Sequence, residues 1–322
     1  MLGYLCFFIC SKFGALLSQE CQNVEINSGR SYYNEMVNIS YCLFGRFSLF
    51  SGNGGVINIA NNNFHIYVYY SVFYSSSCSG DGGAIHSYAS SSNIRFVCAS
   101  SCHANSYGYH FAILNANSQN NVEYLSMTKC SYLSTKSESI RMDSGNQINT
   151  YSNISLNSAE RWSSFDNFAA ATQQTKFCSH IRNDASGIVS LEAGNGNMEY
   201  CNIIGNNSPN GYGVVRAYSG SPTFRYSIFY ENTNTLFCGD AGTIIIEHSY
   251  ISHTGTQDYG SVMSSNNNTF IHQNSYQVSY FQTIYCHADH PVNQAQISPK
   301  YSQFIRFPIS FLFVVSEFYT IM

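Results

Sequence analysis

The feature that most constrains this chain is a spaced repeat. A glycine-like opening recurs about every 24 to 29 residues. Gly52 opens GNGGVINIA, Gly80 opens GDGGAIHSY and Gly108 opens GYHFAILNA; the series continues from Ser137, Ser163, Gly187, Gly211, Phe237 and Gly260. Each opening leads into a short apolar segment and a small polar turn. A second segment then alternates: NFHIYV from Asn63, NIRFVC from Asn93, NVEYLS from Asn121, NMEYCN from Asn197 and TFRYSI from Thr223. Its apolar residues take every other position, as Phe64 and Ile66, Ile94 and Phe96, Val122 and Tyr124, Met198 and Tyr200, Phe224 and Tyr226. That is the pattern of a strand with one face inward.

Repeats of this length, with two or three short strands and tight turns, predict an all-β fold, a right-handed parallel β-helix of about nine to ten coils. The hand follows from the crossover rule for parallel strands. A sandwich or barrel also has short alternating strands, but rarely repeats one order of turn, apolar pair, turn and alternating strand so many times. Paired glycines suit the corners, where the chain turns sharply and positive φ is free of a Cβ clash.

Stacking turns sequence spacing into neighbourhood. The outward position of the alternating strand reads His65, Arg95, Glu123, Asn149, Lys176, Glu199 and Arg225. Arg95 then pairs with Glu123, and Glu199 with Lys176 and Arg225. Alternating signs cancel the field a charged ligand needs, so this row reads as register-setting pairs rather than a binding stripe. Asn157, Asn206 and Asn232 close similar phrases, as stacked amides that bond from rung to rung do. Cys102 and Cys130 are one coil apart and within Cα reach of a disulfide; the alternative is two small buried residues in an inward ladder. Cys178 and Cys201 occupy matching places and form a second candidate.

Composition narrows the function. Only 10% of the 322 residues are charged, 16% are aromatic, and the net charge is −4. The chain is too apolar for disorder and has no basic footprint for nucleic acid. Catalysis on acidic polysaccharides needs paired carboxylates or a metal-binding acidic cluster. The aspartates are scattered, and the opening phrases bring together Asn53, Asp81 and Tyr109, with one carboxylate among them. His287 to His290 and His248 with His253 supply two ligands each where a metal site needs three or four, so they read as turn histidines. No phosphate loop or nucleotide fingerprint is present. No catalytic residue, metal or cofactor is expected.

The ends suggest a compartment. Residues 1–19 have the apolar core of a secretory signal, although Lys12 interrupts it. Residues 20–290 form the β-helix, and 291–322 form a tail whose apolar run, Phe307 to Val315, is short of the about 20 residues a spanning helix needs. That run reads as a cap, an anchor or an abnormal end. Once residues 1–19 are removed, ten cysteines remain, an even number that permits disulfides. Sequons at Asn38, Asn153, Asn206 and Asn267 fit secretion.

GGAI, Gly82 to Ile85, and FYEN, Phe229 to Asn232, resemble the paired GGA[ILV] and FxxN motifs of polymorphic outer-membrane proteins. The chain also resembles the right-handed β-helix, pectin-lyase-like surface families of parasitic flagellates, over roughly Asn27 to His290. The resemblance implies extracellular display and, in some members, adhesion. It carries over no catalytic residue. The expectation is a secreted or surface-displayed β-helix that acts in adhesion or interaction, with an extracellular protein or carbohydrate as partner. A polysaccharide lyase or hydrolase is one rival, and a structural spacer or inactive truncated copy another.

Overall fold

The computed structural model describes residues 24–26, 36–40, 42–45, 48–49, 52–60, 62–104, 109–130, 138–192, 194–252, 259–264, 268, 275–283 and 286–289. The expected signal, the C-terminal tail and Asn267 lie outside them. The described residues are all-β, without helix, and form a parallel solenoid of about eight turns.

Each coil contributes a strand to three faces. In one coil these are Gly187–Leu191, Asn197–Glu199 and Asn202–Ile204. The next supplies Val215–Ala217, Thr223–Arg225 and Ile228–Tyr230, in parallel register with Val189 on Val215, Met198 on Phe224 and Ile203 on Phe229. Inward side chains stack coil on coil, Val68 on Ile94 on Val122 in one buried apolar cluster and Met198 on Phe224 on Ile246 in another, with Asn149 and Thr175 between them in the same column. A polar layer interrupts this core where His180 Nδ1 meets Ser164 Oγ at 2.6 Å.

The paired glycines do two different jobs. Gly82 has φ +71, and a Cβ there would lie 2.0 Å from the Ile85 carbonyl oxygen. Gly83 has the coil above it so close that a Cβ would lie 2.1 Å from the His110 carbonyl oxygen. The first glycine makes the corner and the second admits the neighbouring coil.

Phe96, Tyr124, Tyr200 and Tyr226 do not point inward as the alternation predicts. Each has positive φ, between 51° and 55°. A left-handed residue turns the chain and breaks the period of two. The rings leave the core and stack along the corner between the second and third faces. The run is Tyr70, Phe96, Tyr124, Tyr151, Phe177, Tyr200, Tyr226 and His248, with centroids 4.5 to 5.3 Å apart. His248 is thus a stacking residue.

The corner after the third face holds the asparagine ladder. Oδ1 of Asn183 accepts the backbone N–H of Asn157 at 3.1 Å, Oδ1 of Asn206 accepts that of Asn183 at 3.0 Å, and Oδ1 of Asn232 accepts that of Asn206 at 3.0 Å. Asn183 is a fourth member beside the three expected. Below it the same column continues as Cys130 and Cys102, whose thiols are buried and unbridged. Of the two readings of Cys102 and Cys130, the pair of small buried residues in an inward ladder holds, because in-register side chains point the same way and do not converge on a bridge. Cys178 and Cys201 are free thiols for the same reason.

The bonded pair is Cys98–Cys286, with Cα atoms 5.7 Å apart. Cys42 also takes part in a disulfide. Cys286 belongs to a C-terminal strap, residues 275–283 and 286–289, laid along the third face. The face beneath is built from side chains that leave room, including Cys98, Ser126, Asn153, Ser179 and Asn202, all buried. Asn202 clamps the strap backbone, donating to Tyr276 O at 2.8 Å and accepting from Tyr276 N at 2.9 Å. Asn153 donates to Asp289 O at 2.7 Å, and Arg182 pairs with the Asp289 carboxylate at 2.9 Å.

Candidate functional site

The outward row of the second face is a set of ion pairs. Arg95 meets Glu123 at 2.9 Å and Lys176 meets Glu199 at 3.0 Å. Arg225 pairs with Glu247 at 2.7 Å instead of with Glu199. Two members differ from the expected row: Tyr69 stands where His65 was expected, opposite Arg95, and Thr150 stands in place of Asn149, which is buried. The stacked rings beside this row turn their faces to one another, which leaves only ring edges for a ligand.

The first face is different. Its strands carry β-bulges, with register shifts between Tyr109 and Ala112 and between Glu138 and Ile140. The openings at Gly108 and Ser137 already align Tyr109 with Glu138, whereas the second bulge sets Asp166 rather than Asn167 on Arg141. Glu138 stacks directly on Tyr109, and Asp166 on Arg141. Glu138 and Asp166 are 4% and 1% exposed, within hydrogen-bonding reach of each other. Burial raises the pKa of both, and the neighbouring carboxylate raises that of Glu138 further. Glu138 Oε2 and Asp166 Oδ1 each lack a donor. One proton held by the pair supplies it. Arg141 lies 3.5 Å from Asp166 and 3.3 Å from Asp143, with its guanidinium 4.0 Å from the Phe168 ring centre. Arg216 is bound to Glu192 and Asp240 and lies over Trp162, Tyr212 and Tyr218.

The corner where the first face meets the second opens into a cleft of about 510 Å³ lined by Ala60, Asn62, Tyr88, Ala89, Asn115 and Asn117. Asn115 stacks on Tyr88 one coil away. Tyr88 is 42% exposed. It stands edge-on to His86, with centroids 4.9 Å apart. His86 is itself fixed. Asn53 Oδ1 accepts the Asp81 backbone N–H at 2.9 Å, which turns Asn53 Nδ2 toward His86 Nε2 at 3.1 Å. Nδ1–H of His86 then donates to Asn58 Oδ1 at 2.9 Å. Burial lowers the His86 pKa to about 4, so the ring stays neutral and keeps this tautomer at neutral pH. The chain from Asp81 through Asn53 and His86 holds Tyr88 in place.

Of the sequons, Asn38 is exposed. Asn153 and Asn206 are fully buried, one against the strap and the other in the ladder, so neither admits a glycan in the folded chain. Among the described residues no three His, Cys, Asp or Glu side chains converge as a metal set, and no helix is long and apolar enough to cross a membrane. Sequence reasoning missed the cleft amides and the Glu138–Asp166 contact. The signal for the cleft was present, since Tyr88 and Asn115 are one coil apart. The signal for the carboxyl pair was masked by the bulges. No family model, curated protein or solved structure matches the chain.

Proposed function

We propose that the protein is a secreted or surface-displayed adhesion protein that holds a glycan on the first face without cleaving it. The observation that carries this reading is the cleft at Tyr88. An exposed, pre-oriented aromatic ring offers an apolar face to the C–H side of a sugar, and the side-chain amides of Asn62, Asn115 and Asn117 offer donors and acceptors to its hydroxyls. The resemblance to β-helix surface families of parasitic flagellates supports display outside the cell.

One observation favours a second reading as a polysaccharide-cleaving enzyme. The Glu138–Asp166 pair has the raised, coupled carboxyls that general acid catalysis uses. Against it, both groups are buried, out of reach of a glycosidic bond. Purified protein is therefore passed over immobilised neutral and acidic polysaccharides, and retention is measured together with new reducing or unsaturated ends. Retention without new ends supports adhesion. New ends that vanish in Glu138→Gln support the enzyme. Neither signal overturns the glycan reading.

A further inference from the structure

We infer that the Tyr88 cleft takes a neutral glycan and rejects uronate and other carboxylate-bearing chains. The inference rests on the glycan reading and gives it a ligand class. The lining residues Ala60, Asn62, Tyr88, Ala89, Asn115 and Asn117 carry no charge. Among the described residues, no side-chain hydrogen bond engages the three amides, so their hydrogen-bonding capacity is free for a ligand. The volume, about 510 Å³, lies within the ~300–1,000 Å³ of small-ligand sites. The cleft crosses three coils, about 10 Å of stack at the strand spacing, so it accommodates a short run of sugar rings lying along the axis.

The surroundings decide the charge. A carboxylate ligand is held best by a guanidinium with a free edge. The register that stacks Asn115 on Tyr88 continues to Asp143 on the next coil. Beside the cleft, therefore, stands a carboxylate. The guanidinium on the strand of Asp143, Arg141, is already shared between Asp143 and Asp166 and stacked on Phe168. Farther along the face, Arg216 is shared between Glu192 and Asp240, and Arg161 lies 4.0 Å from Glu138. With Asp81 at the other end, carboxylates exceed guanidiniums on this face even with one proton on the buried pair. An anionic chain meets repulsion there and finds no unpaired cation.

The test titrates the purified full chain with cellopentaose, xylopentaose, mannopentaose and pentagalacturonate, by calorimetry at pH 7 and low salt. At least one neutral pentasaccharide is expected to bind, with pentagalacturonate at least tenfold weaker. Tyr88→Ala and Asn117→Ala are expected to weaken the neutral ligand tenfold or more, while Tyr226→Ala, an exposed ring elsewhere, leaves it unchanged. All three side chains are exposed, and circular dichroism checks that each variant folds. Equal or tighter binding of pentagalacturonate overturns the charge inference and leaves the glycan reading standing. Neutral binding that survives Tyr88→Ala overturns the location. Silence from every oligosaccharide, together with no retention on the polysaccharide panel, overturns the glycan reading itself.

Discussion

Asn206 reaches the next coil through one acceptor: its backbone N and its Nδ2 each lie 3.0 Å from Asn232 Oδ1. Its Nδ2 also lies 2.8 Å from His180 O, and its own Oδ1 accepts from Asn183. Asn206→Ala therefore strands buried groups on both neighbouring coils. It is expected to cost about 3 kcal/mol, read by urea denaturation. A loss below about 1 kcal/mol would show that the ladder is incidental.

The same burial governs modification. In a glycosylating secretory host, mass spectrometry of the folded protein is expected to find Asn153 and Asn206 bare and Asn38 occupied. A glycan on Asn206 in folded protein would contradict the ladder, because the amide nitrogen already donates to two acceptors.

The aromatic corner makes an unusual prediction at Tyr151. Its ring stacks on Tyr124 at 4.8 Å and on Phe177 at 5.2 Å, while its φ is 52°. Tyr151→Ala loses both stacks and keeps the left-handed strain. Tyr151→Gly loses both stacks and relieves it. The glycine variant is expected to be the more stable of the two by about 1 kcal/mol. An alanine variant more stable than glycine would refute the strained-corner account.

These features were unequally legible in the sequence. The pairs Arg95–Glu123 and Lys176–Glu199 were readable because their members stand one coil apart, as do Asn206 and Asn232 of the ladder; Asn157 lies two coils from Asn206, and Asn183 between them was missed. Phe96 and Tyr124 were misread because a left-handed residue shifts the alternation without changing residue type. The Glu138–Asp166 contact was hidden by bulges that alter register on one face only. The Cys98–Cys286 bond joins residues 188 apart through a strap that crosses the coils, so no period encodes it.

Acid should destabilise the fold through its buried histidines. Burial lowers the pKa of His86 and His110 to about 4 and of His180 to about 3. Between pH 6.5 and about 4 the unfolded chain binds protons that the folded chain refuses, so stability falls as pH falls, by about 1.4 kcal/mol per unit of depression. The raised carboxyls of Glu138 and Asp166 act in the opposite sense, since the folded state holds their proton more tightly. Their cost is absent in acid and grows as pH rises above the ordinary carboxyl range. Glu138→Gln is accordingly expected to stabilise the chain at pH 8 and not at pH 4. Urea titrations across pH 4 to 8 check both slopes.

The most direct test of the account is hydroxyl-radical footprinting of the folded protein with and without the tightest neutral pentasaccharide. Tyr88 and Tyr226 are 42% and 38% exposed, so both should be labelled in the free protein. The account predicts that ligand protects Tyr88 and leaves Tyr226 unchanged. Protection of Tyr226 with Tyr88 still labelled would place binding on the aromatic corner and contradict the first face as the recognition surface.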